Sequence, residues 1–309
     1  MKTLIIGFGS IGERHAAILS EINSGEINAV TKREIKELKT FKTIEEIVDI
    51  NSYDLFVVSS ETHLHYEILK KIDSVVRRKI IVVEKPLFDK YASFTSSNQN
   101  AIFCSYNLRF HPLIQALKNK ISDETVISFD VSAGQFLPEW RPGRDYKTIY
   151  SADKNRGGGV LLDLSHEIDY GLWLCGKPNK FNSISFFSGN LEISSEDFFR
   201  SFGVMNSGAI FSISLDYISK IPHRKIIINT KTSTIIADLI KNEIVTKAEG
   251  SNEKTEYFEV ERNCSYREMW KALIAGRAEN WCTLKEALEV MNFIFQAKNK
   301  ELLQTYKPL

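Results

Sequence analysis

The opening stretch Met1-Lys-Thr-Leu-Ile-Ile-Gly7-Phe-Gly9-Ser-Ile-Gly12-Glu-Arg-His15 decides the fold. Leu4 to Phe8 is an apolar run with Gly7 inside it and reads as a buried strand, while Ile11 to Leu19 carries apolar residues at helical spacing. Between them, Gly7 permits a sharp turn, Gly9 lets a pyrophosphate approach the backbone, and Gly12 allows the helix to pack closely on the strand. The first helical turn, Ser10, Ile11 and Gly12, then offers unpaired N–H groups and a partial positive charge to phosphate. Strand, glycine turn and helix in this order predict a dinucleotide-binding parallel sheet. An ordinary glycine-rich strand-to-helix turn is the alternative.

Composition narrows the function classes. The chain has 309 residues, 43% apolar and 26% charged, which is enough for two domains with substantial cores. A net charge of +1 gives no field toward nucleic acid or anionic membrane. The longest apolar runs, such as Leu55 to Val58 and Ile80 to Val83, are too short to cross a bilayer. Lys2 precedes apolar residues as in a secretory signal, yet the glycines and Glu13-Arg14-His15 arrive too soon for one. Cys104, Cys175, Cys264 and Cys282 are widely scattered and fit thiols in a reducing compartment, so a cytoplasmic location is expected.

A strand–helix rhythm fills the first third, implying parallel strands joined by crossover helices. Strands are expected at Ile27 to Val30, Asp54 to Ser59, Lys79 to Glu84 and Ala101 to Tyr106, with helices at Thr43 to Val48 and His65 to Ile72 and a polar loop at Thr95 to Asn100. Beyond about residue 120 strand-like segments dominate: Val126 to Gln135, Phe181 to Phe187, Phe198 to Met205, Ala209 to Asp216, Lys225 to Asn229, Thr234 to Leu239 and Tyr257 to Val260. One helical block, Gly159 to Leu174, interrupts them, and two amphipathic helices, Tyr266 to Ala278 and Leu284 to Lys300, close the chain. Several of the later strands alternate apolar with polar residues, as in a sheet with one solvated face. The expected organisation is α/β followed by α+β: a nucleotide-binding domain over residues 1–118 and a mostly antiparallel open-sheet domain over 119–309, with packing of the closing helices back on the first domain as the alternative.

Over essentially its whole length the chain resembles the Gfo/Idh/MocA oxidoreductases. The resemblance rests on five motifs in order. They are Gly7 to His15; Ser59-Ser-Glu-Thr-His-Leu-His65, where the family usually has Thr-Pro-Asn-x-x-His; Glu84-Lys85-Pro86; Tyr106-Asn-Leu-Arg-Phe-His-Pro112; and Gly157-Gly-Gly-Val-Leu-Leu-Asp-Leu-Ser-His166-Glu-Ile-Asp169. Trp140-Arg-Pro-Gly-Arg-Asp-Tyr146, with Tyr150, is similar to a subgroup associated with bacterial surface-sugar biosynthesis. The resemblance implies an amino-terminal Rossmann domain, a nicotinamide cofactor and hydride transfer at a sugar hydroxyl or ketone. It also implies a homodimer or homotetramer formed through the second-domain sheet.

The chemistry can be weighed from the residues themselves. Lys85 follows a buried strand at its carboxyl end, where open α/β sheets place ligands. An ammonium there hydrogen-bonds a reacting hydroxyl and favours its ionised form; a solvated turn lysine is the alternative. His166 and Asp169 stand three residues apart on one helical face, and a neutral imidazole is a natural base for an alcohol proton. Family resemblance pairs this histidine with the lysine and with an aspartate four residues earlier, but Leu162 occupies that position and Asp163 comes one residue later. A helix turns about 100° per residue, so Asp163 is a candidate whose direction differs. Asp169 either orients His166 or is a helix-face charge.

Ser59, Ser60 and Thr62 offer hydroxyls and amides to a cofactor's ribose and phosphate, or simply form a polar strand-end turn. The resemblance sets His65, Glu84 and Lys85 beside the same cofactor. His63 and His65 form a His-x-His pair, but nothing nearby completes a tetrahedral metal site, and none is expected. After the second strand the chain reads Thr31-Lys32-Arg33 where NAD-preferring proteins place a carboxylate. Two cations and a hydroxyl suit a 2′-phosphate, which favours NADP over NAD, although Glu34 follows directly.

Trp140, Arg141, Arg144, Tyr146 and Tyr150 combine aromatic faces for sugar rings with guanidinium groups for carboxylate or phosphate. That composition fits an acidic or nucleotide-linked sugar; an aromatic-anchored surface loop is the alternative. Arg109, at the expected domain junction, is either a cleft residue or half of an interdomain ion pair. Taken together, the residues predict an NAD(P)-dependent sugar oxidoreductase. A cofactor- or sugar-sensing regulator and an NAD-dependent glycosidase without net redox change are the other classes.

Overall fold

The computed structural model describes residues 1–22 and 25–299. Two compact units divide them: residues 1–110 with 263–291, and residues 111–262 with 292–299.

In the first unit, β1 (Thr3–Ile6) leads into α1 (Ser10–Glu21) and β2 (Ile27–Val30). β3 (Lys39–Phe41), β4 (Leu55–Val58), α2 (His65–Val75), β5 (Ile80–Val83) and β6 (Ala101–Cys104) follow. These strands are all parallel, in the order β3-β2-β1-β4-β5-β6. The order reverses beside β1, which makes the β1–α1 turn the switch point of the sheet. β1, β2 and β4 are buried along their entire length, so unbroken apolar runs rather than alternation mark them. Thr43 to Val48, expected as a helix, makes only a single turn at Ile44–Glu46, because no side chain in that stretch is buried to hold a longer one. β3 was not expected; its three residues carry too little pattern to be read.

The second unit begins at His111, ahead of the expected 118/119 boundary, because α3 (Pro112–Ile121) belongs with it. β7 (Val126–Gly134) precedes a long loop, then α4 (Val160–Asp163) and α5 (Ser165–Cys175). The remaining strands are β8 (Pro178–Phe186), β9 (Phe198–Met205), β10 (Ile210–Asp216), β11 (His223–Thr230), β12 (Ser233–Asp238), β13 (Glu243–Ala248) and β14 (Lys254–Tyr257). Eight strands form one sheet in the order β14-β13-β12-β11-β7-β10-β9-β8, antiparallel except for the β7–β10 pair. Phe129, Val131 and Ala133 point inward from β7, and Gly171 lets α5 approach Phe129 and Val131 to within 3.6 Å of where a Cβ would stand. The last strand sits earlier than Tyr257 to Val260, because its pairing with β13 runs from Lys254 to Tyr257. Gly159 to Leu174, expected as one helix, is broken at Leu164, whose φ of −96° and ψ of 29° interrupt the helical path.

The carboxyl-terminal elements return to the first unit. α6 (Cys264–Ile274) places Met269, Trp270 and Leu273 in a core with Ile5, Ile18, Leu19 and Val57. β15 (Cys282–Thr283) adds an antiparallel edge beside β6, with Cys282 opposite Cys104. α7 (Leu284–Asn299) contributes its residues up to Met291 to the first unit and those from Asn292 to the second. Lys300, expected at its end, lies outside the described residues. Among the described residues no helix is long and apolar enough to cross a membrane.

His111 begins α3, its Nδ1 accepting the Leu113 N–H at 3.3 Å. Burial, then the charge of Arg224, pushes its pKa down to about 4. The unfolded ring takes up a proton near 6.5. Stability is therefore intact above about pH 6.5 and falls as the pH drops from there toward about 4. Urea midpoints at about pH 7.5 and 5 should show wild type losing on the order of 1–2 kcal/mol more than His111→Asn. Parallel losses would contradict this assignment.

Candidate active site

Steric contacts around the β1–α1 turn separate its three glycines. Gly7 has φ +92°, and a Cβ on it would come within 2.6 Å of the Ser60 backbone. A Cβ on Gly12 would strike the Gly7 carbonyl and approach Ser59 Oγ at 2.9 Å. Ser59 donates its hydroxyl hydrogen to that same carbonyl at 2.7 Å. Internal packing therefore requires both glycines. Gly9 differs: its φ is −83°, and a Cβ there would meet nothing within 4 Å. The turn's own packing gives no reason for a glycine at that point. No side chain caps α1, and the Glu13 N–H, bonded to the Gly9 carbonyl at 2.9 Å, makes the first helical bond. The Ser10, Ile11 and Gly12 amides precede it. An open backbone and uncommitted amides fit a dinucleotide's pyrophosphate.

The tip of β2 carries the residues expected to meet the cofactor's ribose. Thr31 Oγ1 accepts the Arg33 N–H at 3.1 Å. Arg33 Nη1 donates to the Phe8 carbonyl at 2.7 Å and also pairs with Glu13. Lys42, just past β3, donates to the Lys32 carbonyl at 3.3 Å, adding an ammonium to the tip. Sequence reading missed Lys42 because it missed β3, and it missed Glu13 because nothing local links α1 to the end of β2.

Behind the turn, several expected cofactor residues are engaged by the protein itself. His65 is buried, with Nε2 3.1 Å from the Ser60 carbonyl and Nδ1 3.1 Å from that of Pro86 and 3.3 Å from that of Leu87. Burial lowers its pKa, opposed by those carbonyls, and the ring lies between the loop after β4 and the turn after β5. Thr62 is buried beside it, while Ser60 is half-buried. His63 approaches Glu61 at 3.6 Å, and among the described residues no cluster of three or more His, Cys, Asp or Glu is placed to hold a metal.

Glu84 is turned inward. Its Oε1 meets His15 Nε2 at 2.8 Å, and its Oε2 accepts the Lys85 N–H at 3.2 Å. The Trp270 indole N–H donates to His15 Nδ1 at 3.0 Å, which leaves Nε2 as the protonated nitrogen that donates to Glu84. Burial alone would raise the Glu84 pKa, but the His15 and Ser105 hydrogen bonds and the Lys85 charge outweigh it and hold the group below the usual carboxylate range. The Lys85–Pro86 peptide that follows is cis. No short-range pattern links His15, Glu84 and Trp270, which three separate elements bring together.

In the second unit, α5 carries His166 and Asp169, both buried. The break at Leu164 means that a continuous helical wheel does not relate Asp163 to His166. Asp163 accepts a hydrogen bond from the Tyr217 hydroxyl at 2.6 Å, and its charge also acts on the Tyr150 phenol. Burial first, and then the Asp163 charge, push both phenols well above their usual range. Trp140 packs edge-on against Tyr217 with centroids 5.1 Å apart, and Arg141 lies 5.8 Å over the Tyr150 ring. Trp140 also donates to the Gln135 carbonyl at 3.1 Å, and the Tyr146 hydroxyl accepts the Glu192 N–H at 3.3 Å. Asp163, expected as a catalytic group, is thus the anchor of the Trp140–Tyr150 loop, while Arg144 is exposed on it.

Two ion pairs, each with one buried member, complete the frame. Arg224 holds the wholly buried Glu167 at 2.7 Å, and Tyr170 donates to the same carboxylate at 3.2 Å. Arg109, expected to touch a ligand or bridge the domains, is buried and pairs with Glu286 at 2.9 Å inside the first unit. The partner lies 177 residues away and leaves no local signal.

The glycines give a clean prediction. Gly9→Ala should keep stability within about 0.5 kcal/mol yet weaken NAD(P)H binding by about tenfold or more. Gly12→Ala should cost about 1–3 kcal/mol through overpacking. Thermal melts and fluorescence titration measure both, and equal loss of stability in the two variants would contradict the packing described.

Comparison with known proteins places this geometry. Residues 1–101 match the family described as "Oxidoreductase family, NAD-binding Rossmann fold", GFO_IDH_MocA. Scyllo-inositol 2-dehydrogenase (NADP(+)) IolW of Bacillus subtilis is 25% identical over 58% of this chain, and the match spans about half of that relative, 52%. The WlbA dehydrogenase of Bordetella pertussis, solved with NADH and UDP-GlcNAcA, shares the fold at TM-score 0.78 and 15% identity over 100% of this chain and 98% of its own. Levoglucosan dehydrogenase, solved with NADH and levoglucosan, does so at TM-score 0.82 and 15% identity over 97% of each chain. The family match thus covers the nucleotide-binding part of the chain, residues 1–101, and the two solved structures share the fold over nearly the whole of it.

Proposed function

We propose that the protein is an NAD(P)-dependent oxidoreductase acting on a hydroxyl or keto carbon of a sugar or sugar derivative. The observation that carries this reading is the glycine turn at the reversal of strand order, where Gly9 alone has no packing reason to be glycine. Gly7, Gly9 and the amides of Ser10, Ile11 and Gly12 would hold the pyrophosphate, and Thr31, Lys32 and Arg33 the ribose end. Those cations, with Lys42 beside them, favour NADP over NAD.

When bound, the nicotinamide ring supplies or accepts hydride. Lys85, at the carboxyl end of β5, polarises the substrate oxygen by hydrogen bonding and favours its anionic form. His166 takes the hydroxyl proton in oxidation and returns it in reduction, with Asp169 orienting the ring from one turn along α5. Glu84 serves as the fixed counter-charge beside Lys85.

Inositol, levoglucosan and a nucleotide-linked acidic sugar are what the three relatives act on or hold, and they support a polyol or sugar substrate. Arg141, Arg144 and the aromatic loop suit an acidic or nucleotide-linked one. A cytoplasmic homodimer or homotetramer formed through the second sheet belongs to the same proposal. Its outward face supports this with one cross-strand row running Phe202, Ser212, Asp130, Ile227, Ile236 and Val245.

Following NAD(P)H absorbance across inositols, hexoses, sugar acids and nucleotide sugars tests the activity. Net cofactor turnover is expected with at least one class, and Lys85→Met should lower kcat about 10²–10⁴-fold while leaving cofactor affinity within about twofold. Product without net cofactor change, or binding without turnover, would overturn the dehydrogenase reading in favour of a glycosidase or a sensor.

A further inference from the structure

Arg33, the guanidinium expected at a 2′-phosphate, is already shared. Its Nη1 donates to the Phe8 carbonyl within the glycine turn at 2.7 Å and forms an ion pair with Glu13. Glu13 stands in the first turn of α1, where the helix dipole favours a carboxylate. Lys32 and Lys42, the other cations at this tip, have no carboxylate within ion-pair distance among the described residues. Of these three cations Glu13 pairs with Arg33, the one able to grip a phosphate bidentately.

We infer that Glu13 is a specificity-determining residue that restrains binding of the 2′-phosphorylated cofactor by competing for Arg33. This inference rests on the dinucleotide reading above. To bind a 2′-phosphate, the guanidinium must leave Glu13 or share itself between two anions. An unphosphorylated ribose makes no such demand, so the restraint falls on NADP(H) alone. Arg33 is 57% and Glu13 45% exposed, so water screens the pair and the restraint is modest, up to about fivefold in affinity. Glu13→Gln keeps the side-chain shape, and its exposed position asks nothing of the core.

A double-mutant cycle on the full chain tests this, with NADPH and NADH affinities read by fluorescence titration of wild type, Glu13→Gln, Arg33→Ala and the double variant. Glu13→Gln should tighten NADPH about fivefold and change NADH less than about twofold, and the gain should vanish in the Arg33→Ala background. An equal gain for both cofactors overturns the inference, since Glu13 would then act without regard to the 2′-phosphate. A gain that persists without Arg33 also overturns it, because simple charge repulsion would explain the effect. Failure of wild type to bind either cofactor would remove the dinucleotide reading itself, and this inference with it.

Discussion

Backbone crowding between the first turn and the loop after β4 is the constraint on which the rest of the structure depends. Gly7 and Gly12 exist because the Ser60 backbone and the Gly7 carbonyl leave no room for side chains. That contact brings α1 onto the sheet and sets its uncapped end at the point where strand order reverses. Given this packing, Gly9 stands apart as a glycine that the protein does not need for itself. A turn selected only to join a strand to a helix would tolerate alanine there, so its glycine is better explained by an external partner that approaches the backbone.

Within each unit the motif residues divide into those that face outward and those that brace. Trp270 fixes the tautomer of His15, His15 fixes Glu84, and Glu84 stands beside Lys85, so the lysine inherits its surroundings from a helix near the far end of the chain. His65 lies between two strand-end loops, against their carbonyls, and Asp163 accepts the Tyr217 hydroxyl, against whose ring Trp140 of the aromatic loop packs. Each is a buried polar group with a partner, and removal of one partner leaves the other desolvated and unsatisfied. Proximity to a motif is therefore a poor guide to whether a residue touches a ligand.

The sequence exposed what local pattern encodes. Ile27–Val30 and Phe198–Met205 have the ends expected of them, because continuous or alternating apolar residues leave little choice of face. Lys39–Phe41 and Glu243–Ala248 escaped notice, being short or mixed in polarity and ordered by their neighbours rather than by their own side chains. At Leu164 the break interrupts a segment that is buried on every side, its polar residues included, where periodicity cannot reveal a change of path. Arg109 with Glu286 and His15 with Glu84 were invisible for another reason: their partners are brought together only by the fold.

The account is tested most directly by a crystal structure of the protein grown with NADPH. It predicts pyrophosphate oxygens within hydrogen-bonding distance of the Ser10 to Gly12 amides, passing over Gly9, with the 2′-phosphate at the tip of β2. Density for the cofactor elsewhere, with the space above Gly9 left to solvent, would contradict it.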